Sequence, residues 1–124
     1  MADLPDKTCA SCGRRMEWRR QWANNWDEIR YCSDACRRRG VTATDTRLEA
    51  TLLELLGRHP RSTGVDPADA ISQVTDDPDA TAALIEPARR AARRLVARGE
   101  GEIVQNGRVV DPSTARGPFR IRRG

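Results

Sequence analysis

Residues 87–99 read Pro87-Ala-Arg-Arg-Ala-Ala-Arg-Arg-Leu-Val-Ala-Arg-Gly99, an amphipathic period joined to an undiluted run of positive charge. At about 100° of rotation per residue, Ala88, Ala91, Ala92, Leu95 and Val96 fall on one stripe. Arg90, Arg93 and Arg94 point away from it, flanked by Arg89 and Arg98. Pro87 suits the first helical position, where no amide donor is needed, and Gly99 suits the left-handed residue that ends a helix. The small inner face lets such a helix sit close to its neighbours, and the arginine face suits a phosphate backbone or a DNA major groove. The bland reading is a solvated surface face.

The flanking sequence turns this helix into a fold. Upstream, Thr46-Arg47-Leu48-Glu49 reads as a capping box, followed by the stripe Leu48, Leu52, Leu53, Leu55 and Leu56 of a helix ending near Gly57. Asp66-Pro67 and Asp77-Pro78 each read as a cap followed by proline at the first helical position, with Ala70, Ile71 and Val74 inward in the first case. Pro87 must kink the third helix or begin a new one, and a break is expected. Downstream the period changes to that of strands. Glu102–Gln105, Asn106-Gly107 and Arg108–Val110 form a hairpin pattern around a strong turn dipeptide, and Phe119 and Ile121 alternate with Arg120 and Arg122 as a further strand, with Arg123 beyond. Helix, helix, basic helix, hairpin is the order of a winged helix-turn-helix.

The four cysteines stand apart from that domain, in two close pairs. Cys9-Ala-Ser-Cys12-Gly13 is a knuckle in which a tight turn aims two sulfurs at one point, and Cys32-Ser-Asp-Ala-Cys36 puts two more on one side of a helical turn. In a reducing compartment such pairs argue for metal, and four thiolates close a tetrahedral shell. One structural zinc held by Cys9, Cys12, Cys32 and Cys36 is therefore expected. His59, after the first long helix, reads as a loop histidine. Between the pairs, Trp18, Trp22 and Trp26 recur at steps of four; they supply the core that the metal module otherwise lacks, with base stacking beside Arg19 and Arg20 as the alternative.

The fold class is thus small α+β, with an N-terminal four-cysteine module, treble-clef or zinc-ribbon-like as its family resemblance implies, followed by a winged helix-turn-helix. The division is a disordered lead over residues 1–8, a four-cysteine treble-clef zinc module over 9–40, a linker over 41–46 and a winged-helix domain with a basic tail over 47–124. So short a linker predicts modules that dock in space while folding separately in energy.

Two resemblances bear on this division. C-x-x-C-G-R, W-R-x-x-W, W-D and Y-C-S-x-x-C-R, here spanning residues 9–38, resemble a short bacterial treble-clef zinc family of uncharacterised function. That likeness implies a knuckle, a β-hairpin and a helix around zinc. The C-S-x-x-C ending is also similar to that of small zinc proteins that inhibit DNA gyrase, over the ligand pairs alone. Residues 47–123 resemble a second uncharacterised family with a winged-helix-like pattern, through Pro67-Ala-Asp-Ala70, Ala91-Ala92 with Leu95, Val110-Asp111-Pro112 and Gly117-Pro-Phe-Arg-Ile-Arg122. The chain departs from it at Ile85–Arg89, where that family tends to show Trp-Arg.

Charge narrows the function without fixing it. The 124 residues carry 22 Lys or Arg against 18 Asp or Glu, a net +4 and a pI near 9.3, an excess that favours polyanionic partners. Lys7 is the only lysine, so part of the arginine signal reflects a G- and C-rich coding habit. No apolar run approaches the ~20 residues of a membrane span and the start does not read as a secretory signal, so a cytoplasmic protein without a membrane partner is expected.

There is no second histidine, no Gly-rich phosphate loop and no nucleophile beside a base, so neither an enzyme nor a small-molecule substrate is expected. Two classes of function compete. One is DNA binding, with Arg89, Arg90, Arg93, Arg94 and Arg98 on the helix, Arg108 on the wing, and Arg120, Arg122 and Arg123 in the tail contacting duplex DNA. The other is a protein-docking adaptor, favoured by the modest net charge and by Asp76, Asp77 and Asp79 near the presumed groove.

Overall fold

The computed structural model describes residues 6–124. The chain is small α+β: a four-cysteine cluster with a hairpin, then a helical core followed by a small antiparallel sheet. Strand β1 (Lys7–Thr8) pairs antiparallel with β2 (Arg15–Met16), and the knuckle is the turn between them. The lead expected to be disordered through residue 8 is thus a strand at Lys7–Thr8, while residues 1–5 of it lie outside the described residues. Two 3-10 turns, Arg20–Trp22 and Trp26–Glu28, carry the tryptophan segment, and α1 (Asp34–Arg39) carries the second cysteine pair.

Tryptophans, not a long apolar helix, fill the core of this module. Trp26 and Met16 are buried with Cys9, Cys12 and Cys36, and Trp18, Trp22, Ile29 and Tyr31 pack around them half-buried. Trp22 stacks on Trp26 with ring centroids 5.5 Å apart. Lys7 lies over the Trp26 ring and donates to the carbonyl oxygens of Trp26 and Ile29, tying β1 to the tryptophan segment.

Helix α2 (Ala43–Arg58) starts ahead of the expected capping box. Thr42 is the cap: its Oγ1 accepts from Asp45 N at 3.1 Å, and Asp45 Oδ2 accepts from Thr42 N at 2.8 Å. Thr42 and Asp45 satisfy two amides reciprocally, and Glu49 is thereby released for another role. Asp66 and Asp77 cap the next two starts as expected, but the first of these, Pro67–Gln73, is a 3-10 segment; the second is α3 (Pro78–Ala83). The chain breaks at Leu84, and α4 (Ile85–Ala97) begins before Pro87, which occupies its third position instead of its first. A proline there is still within the first turn, where no intrahelical donor is lost.

Leu48, Leu52, Leu55 and Leu56 of α2, Ala70 and Ile71 of the 3-10 segment, and Ala88, Ala91, Ala92 and Leu95 of α4 share one core. Strand β3 (Glu102–Gln105) lies between β4 (Arg108–Val109) and β5 (Arg120–Arg122), both antiparallel, and contributes Ile103 to that core beside Phe119 and Ile121. Asn106 and Gly107 both have positive φ, 52° and 77°, as a two-residue hairpin turn of this chemistry requires. Among the described residues, no helix is long and apolar enough to cross a membrane.

Candidate metal centre and basic surface

The Cys9–Cys12 turn closes with Gly13 N donating to Cys9 O at 3.0 Å, and Cys9 Sγ accepts from Cys12 N at 3.5 Å and from Cys32 N at 3.4 Å. Ser33 caps α1 by accepting from Cys36 N at 3.2 Å, and that fixes the turn carrying the second pair. The four Sγ atoms lie within 4.8 Å of one another. A tetrahedron with metal–sulfur bonds of ~2.3 Å has sulfur–sulfur edges of about 3.8 Å. Cys12–Cys32 at 3.7 Å and Cys32–Cys36 at 3.6 Å match that edge. The residues therefore fit one thiophilic ion such as zinc, and the site is a four-cysteine metal site.

Electrostatics points the same way. The hydrogen bond shared with the Cys12 side chain, helped by backbone amides, draws the Cys9 thiol down to about 4 against its burial. The same bond, with burial, pushes the Cys12 thiol up. Burial and the Cys36 bond push Cys32 up. Cys9 is favoured as the thiolate at the expense of Cys12, and a bound cation would favour the thiolate form of its ligands. Arg39 Nη1 adds a donor to Cys36 Sγ at 3.5 Å. His59 takes no part: it ends α2, and its Nδ1 lies 2.9 Å from Leu55 O.

The basic helix is the main correction to the sequence reading. Arg93 and Arg94, expected on a free face, are 3% and 5% exposed. The metal module covers that face. Arg93 Nε donates to Cys12 O at 2.9 Å and Nη2 to Glu86 Oε2 at 2.9 Å, while Arg94 Nη1 donates to Ser11 O at 2.5 Å and Nε to Glu49 Oε2 at 2.7 Å. Arg98 is half exposed but bound to the other oxygen of Glu49 at 2.5 Å. Gly13 shows how closely the surfaces meet: with φ +77°, a Cβ on it would lie 2.7 Å from the Arg93 carbonyl carbon, Arg93 Cβ and Arg94 N. A second seam joins Arg15 N to Ser113 Oγ at 2.7 Å and Arg15 Nη1 to Asp111 Oδ2 at 3.2 Å. Docking of the modules was expected, and these contacts show it.

Other arginines of the expected DNA surface are also engaged. Arg120 donates to the carbonyls of Thr63 and Gly64, and Arg122 pairs with Glu102 at 2.8 Å. Arg89, Arg90, Arg108 and Arg123 form no ion pair among the described residues. Arg90 is drawn to a lower pKa by burial and then by the charge of Arg39, with Asp45 and Glu86 opposing. The sequence reading missed Glu49 and Glu86 as partners. A signal for Glu49 was present, since an acidic residue sat within the leucine stripe of α2.

Comparison with known proteins finds two families along the chain. Residues 1–39 match the family described as "Uncharacterized protein conserved in bacteria (DUF2256)". No curated protein matches the chain. Residues 45–124, which carry α4, the sheet and both buried-arginine partners Glu49 and Glu86, match the family described as "Protein of unknown function (DUF3253)", and the chain belongs to that family.

Proposed function

We propose that the chain is a non-catalytic nucleic-acid-binding protein. In this reading one structural zinc on Cys9, Cys12, Cys32 and Cys36 shapes a treble-clef module, and residues 43–124 act as a winged helix packed against it. The supporting observation is a set of cations contributed by both segments, Arg38 and Arg39 at the end of α1 and Arg89 and Arg90 on α4. Arg38 and Arg39, like Arg89 and Arg90, form no ion pair among the described residues. Like charges held together repel one another, and a phosphate backbone relieves that repulsion while releasing its own counterions.

The mode of contact differs from groove insertion. With Arg93 and Arg94 covered, the middle of α4 has no face to offer a base edge, so the proposal is phosphate contact through Arg38, Arg39, Arg89 and Arg90, with Arg108 and Arg123 at the sheet. A protein-docking role is the second reading, and the covering of α4 favours it.

Binding to random duplex, single-stranded DNA and RNA across a salt series separates the two. Nucleic-acid binding should weaken on a log–log plot by about 0.9 per phosphate contact on duplex. Converting Arg38, Arg89 and Arg90 to Glu, with Arg39 left in place on Cys36 Sγ, should abolish most of that slope. If none of the three polymers binds at low salt, the nucleic-acid reading fails and protein docking replaces it.

A further inference from the structure

We propose that Arg93 and Arg94 are positioning residues of the metal knuckle, so that metal binding at the four cysteines and folding of residues 43–124 form one linked equilibrium. The inference rests on the four-cysteine metal site and not on nucleic-acid binding. Ser11 and Cys12 belong to the chelating turn itself: Ser11 is fully buried between the two ligands of the first pair. Their carbonyl oxygens are the acceptors that hold the two guanidinium groups, at 2.5 Å from Arg94 and 2.9 Å from Arg93. One shape of the turn both presents these oxygens to α4 and brings Cys9 and Cys12 together.

From there the contacts run on without a gap. Cys12 leads through Arg93 to Glu86 of α4, and Ser11 leads through Arg94 to Glu49 of α2, where Arg98 also binds. The opposite face of the same α4 turns carries Ala91, Ala92 and Leu95, each 0% exposed in the second core. A guanidinium that loses its carbonyl acceptor inside such a contact keeps its carboxylate partner but is left with a buried donor unsatisfied, which is destabilising. When the knuckle is ordered, each arginine has both a carbonyl and a carboxylate acceptor; when it loosens, α4 loses the carbonyls and the cover over Arg93 and Arg94. By linkage the dependence is mutual, and an ordered α4 must tighten the site for metal. Groups one shell outside the ligands commonly change metal affinity by about 10–100-fold. Cys32 is the exposed member of the four.

The test uses the full chain with cobalt(II) as a spectroscopic probe, in competition with a chelator of known affinity. Arg93→Ala and Arg94→Ala should each weaken cobalt binding by about 10-fold or more while keeping a tetrahedral thiolate spectrum. Arg98→Ala, which loses a Glu49 contact and touches no knuckle atom, should stay within about two-fold. The reciprocal arm needs no variant. Chelating the metal from the wild-type chain should reduce hydrogen-exchange protection at the amides of Ala91, Ala92 and Leu95, and this arm decides the matter if the variants do not fold. Unchanged cobalt affinity in folded Arg93→Ala and Arg94→Ala overturns the proposal, as does unchanged protection after metal removal. A wild-type chain without cobalt–thiolate bands would refute the metal site itself, which is a separate outcome.

Discussion

Glu49→Gln is the substitution that interrogates the junction most directly. Glu49 holds Arg94 at 2.7 Å through one carboxylate oxygen and Arg98 at 2.5 Å through the other, with side-chain exposures of 11% for Glu49, 6% for Arg94 and 50% for Arg98. Gln is nearly isosteric, so packing is kept while the charge is removed and one oxygen becomes a donor facing a cation. Removing one partner of a buried ion pair costs about 3–5 kcal/mol. The Arg98 arm is screened by solvent and adds at most about 1 kcal/mol. Arg94 keeps its bond to Ser11 O, and Gln keeps one acceptor, so a loss of about 3 kcal/mol is expected, a large share of the ~5–15 kcal/mol typical of a domain. Urea unfolding of the metal-saturated chain, followed by tryptophan fluorescence and far-ultraviolet dichroism, gives the value by linear extrapolation. A loss below about 1 kcal/mol would refute the claim that this pair is desolvated. Glu49→Leu with Arg94→Met should recover much of the loss, because well-packed apolar replacements of buried pairs are often neutral.

Three further outcomes follow from the same geometry. Changing Cys9, Cys12 or Cys36 to Ser should abolish stoichiometric metal in purified protein by elemental analysis and unfold the tryptophan core, since structural zinc contributes on the order of 10–16 kcal/mol in isolated fingers; full metal occupancy in any of them would contradict the ligand set. Gly13→Ala should lower the melting temperature and loosen the junction, because its Cβ would meet the Arg93 backbone at 2.7 Å and its φ is +77°; amide shifts in α4 that match wild type would count against the close approach. Asp111 is held below its ordinary 3.8 first by the Ser113 amide and also by Arg15. Its contribution is therefore present above pH 3.8 and disappears as pH falls through the lower folded value, which a carboxyl titration by nuclear magnetic resonance would read directly. Asp111→Asn should remove that acid-side dependence.

Much of this architecture is legible locally. Two cysteine pairs at chelating spacings, the Asn106-Gly107 turn and the aspartates before Pro67 and Pro78 each fix their own few residues through short-range chemistry, and each stands in the structure where the sequence puts it. The capping box at Thr46 failed because two candidates overlapped. Thr42 and Asp45 satisfy the same three-residue spacing, and with that earlier pair as the cap Glu49 binds Arg94. Only a partner 45 residues away could have decided between them.

The arginines of α4 fail as a surface for a related reason. Helical periodicity reports which residues lie opposite the alanine stripe, and it placed Arg93 and Arg94 correctly in angle. It carries no information on what lies beyond that angle. In this chain a second module lies there, and it meets the helix with backbone carbonyls, not side chains, so no complementary charge in the linear sequence announces it. Arginine suits such a place better than lysine, since its planar fork satisfies a carbonyl and a carboxylate at once, as Arg93 does with Cys12 and Glu86 and Arg94 with Ser11 and Glu49. The run that most resembles a nucleic-acid motif thus spends its two central charges inside the protein. Arg89 and Arg90, on the same helix, form no ion pair among the described residues and keep their charge uncommitted to a carboxylate.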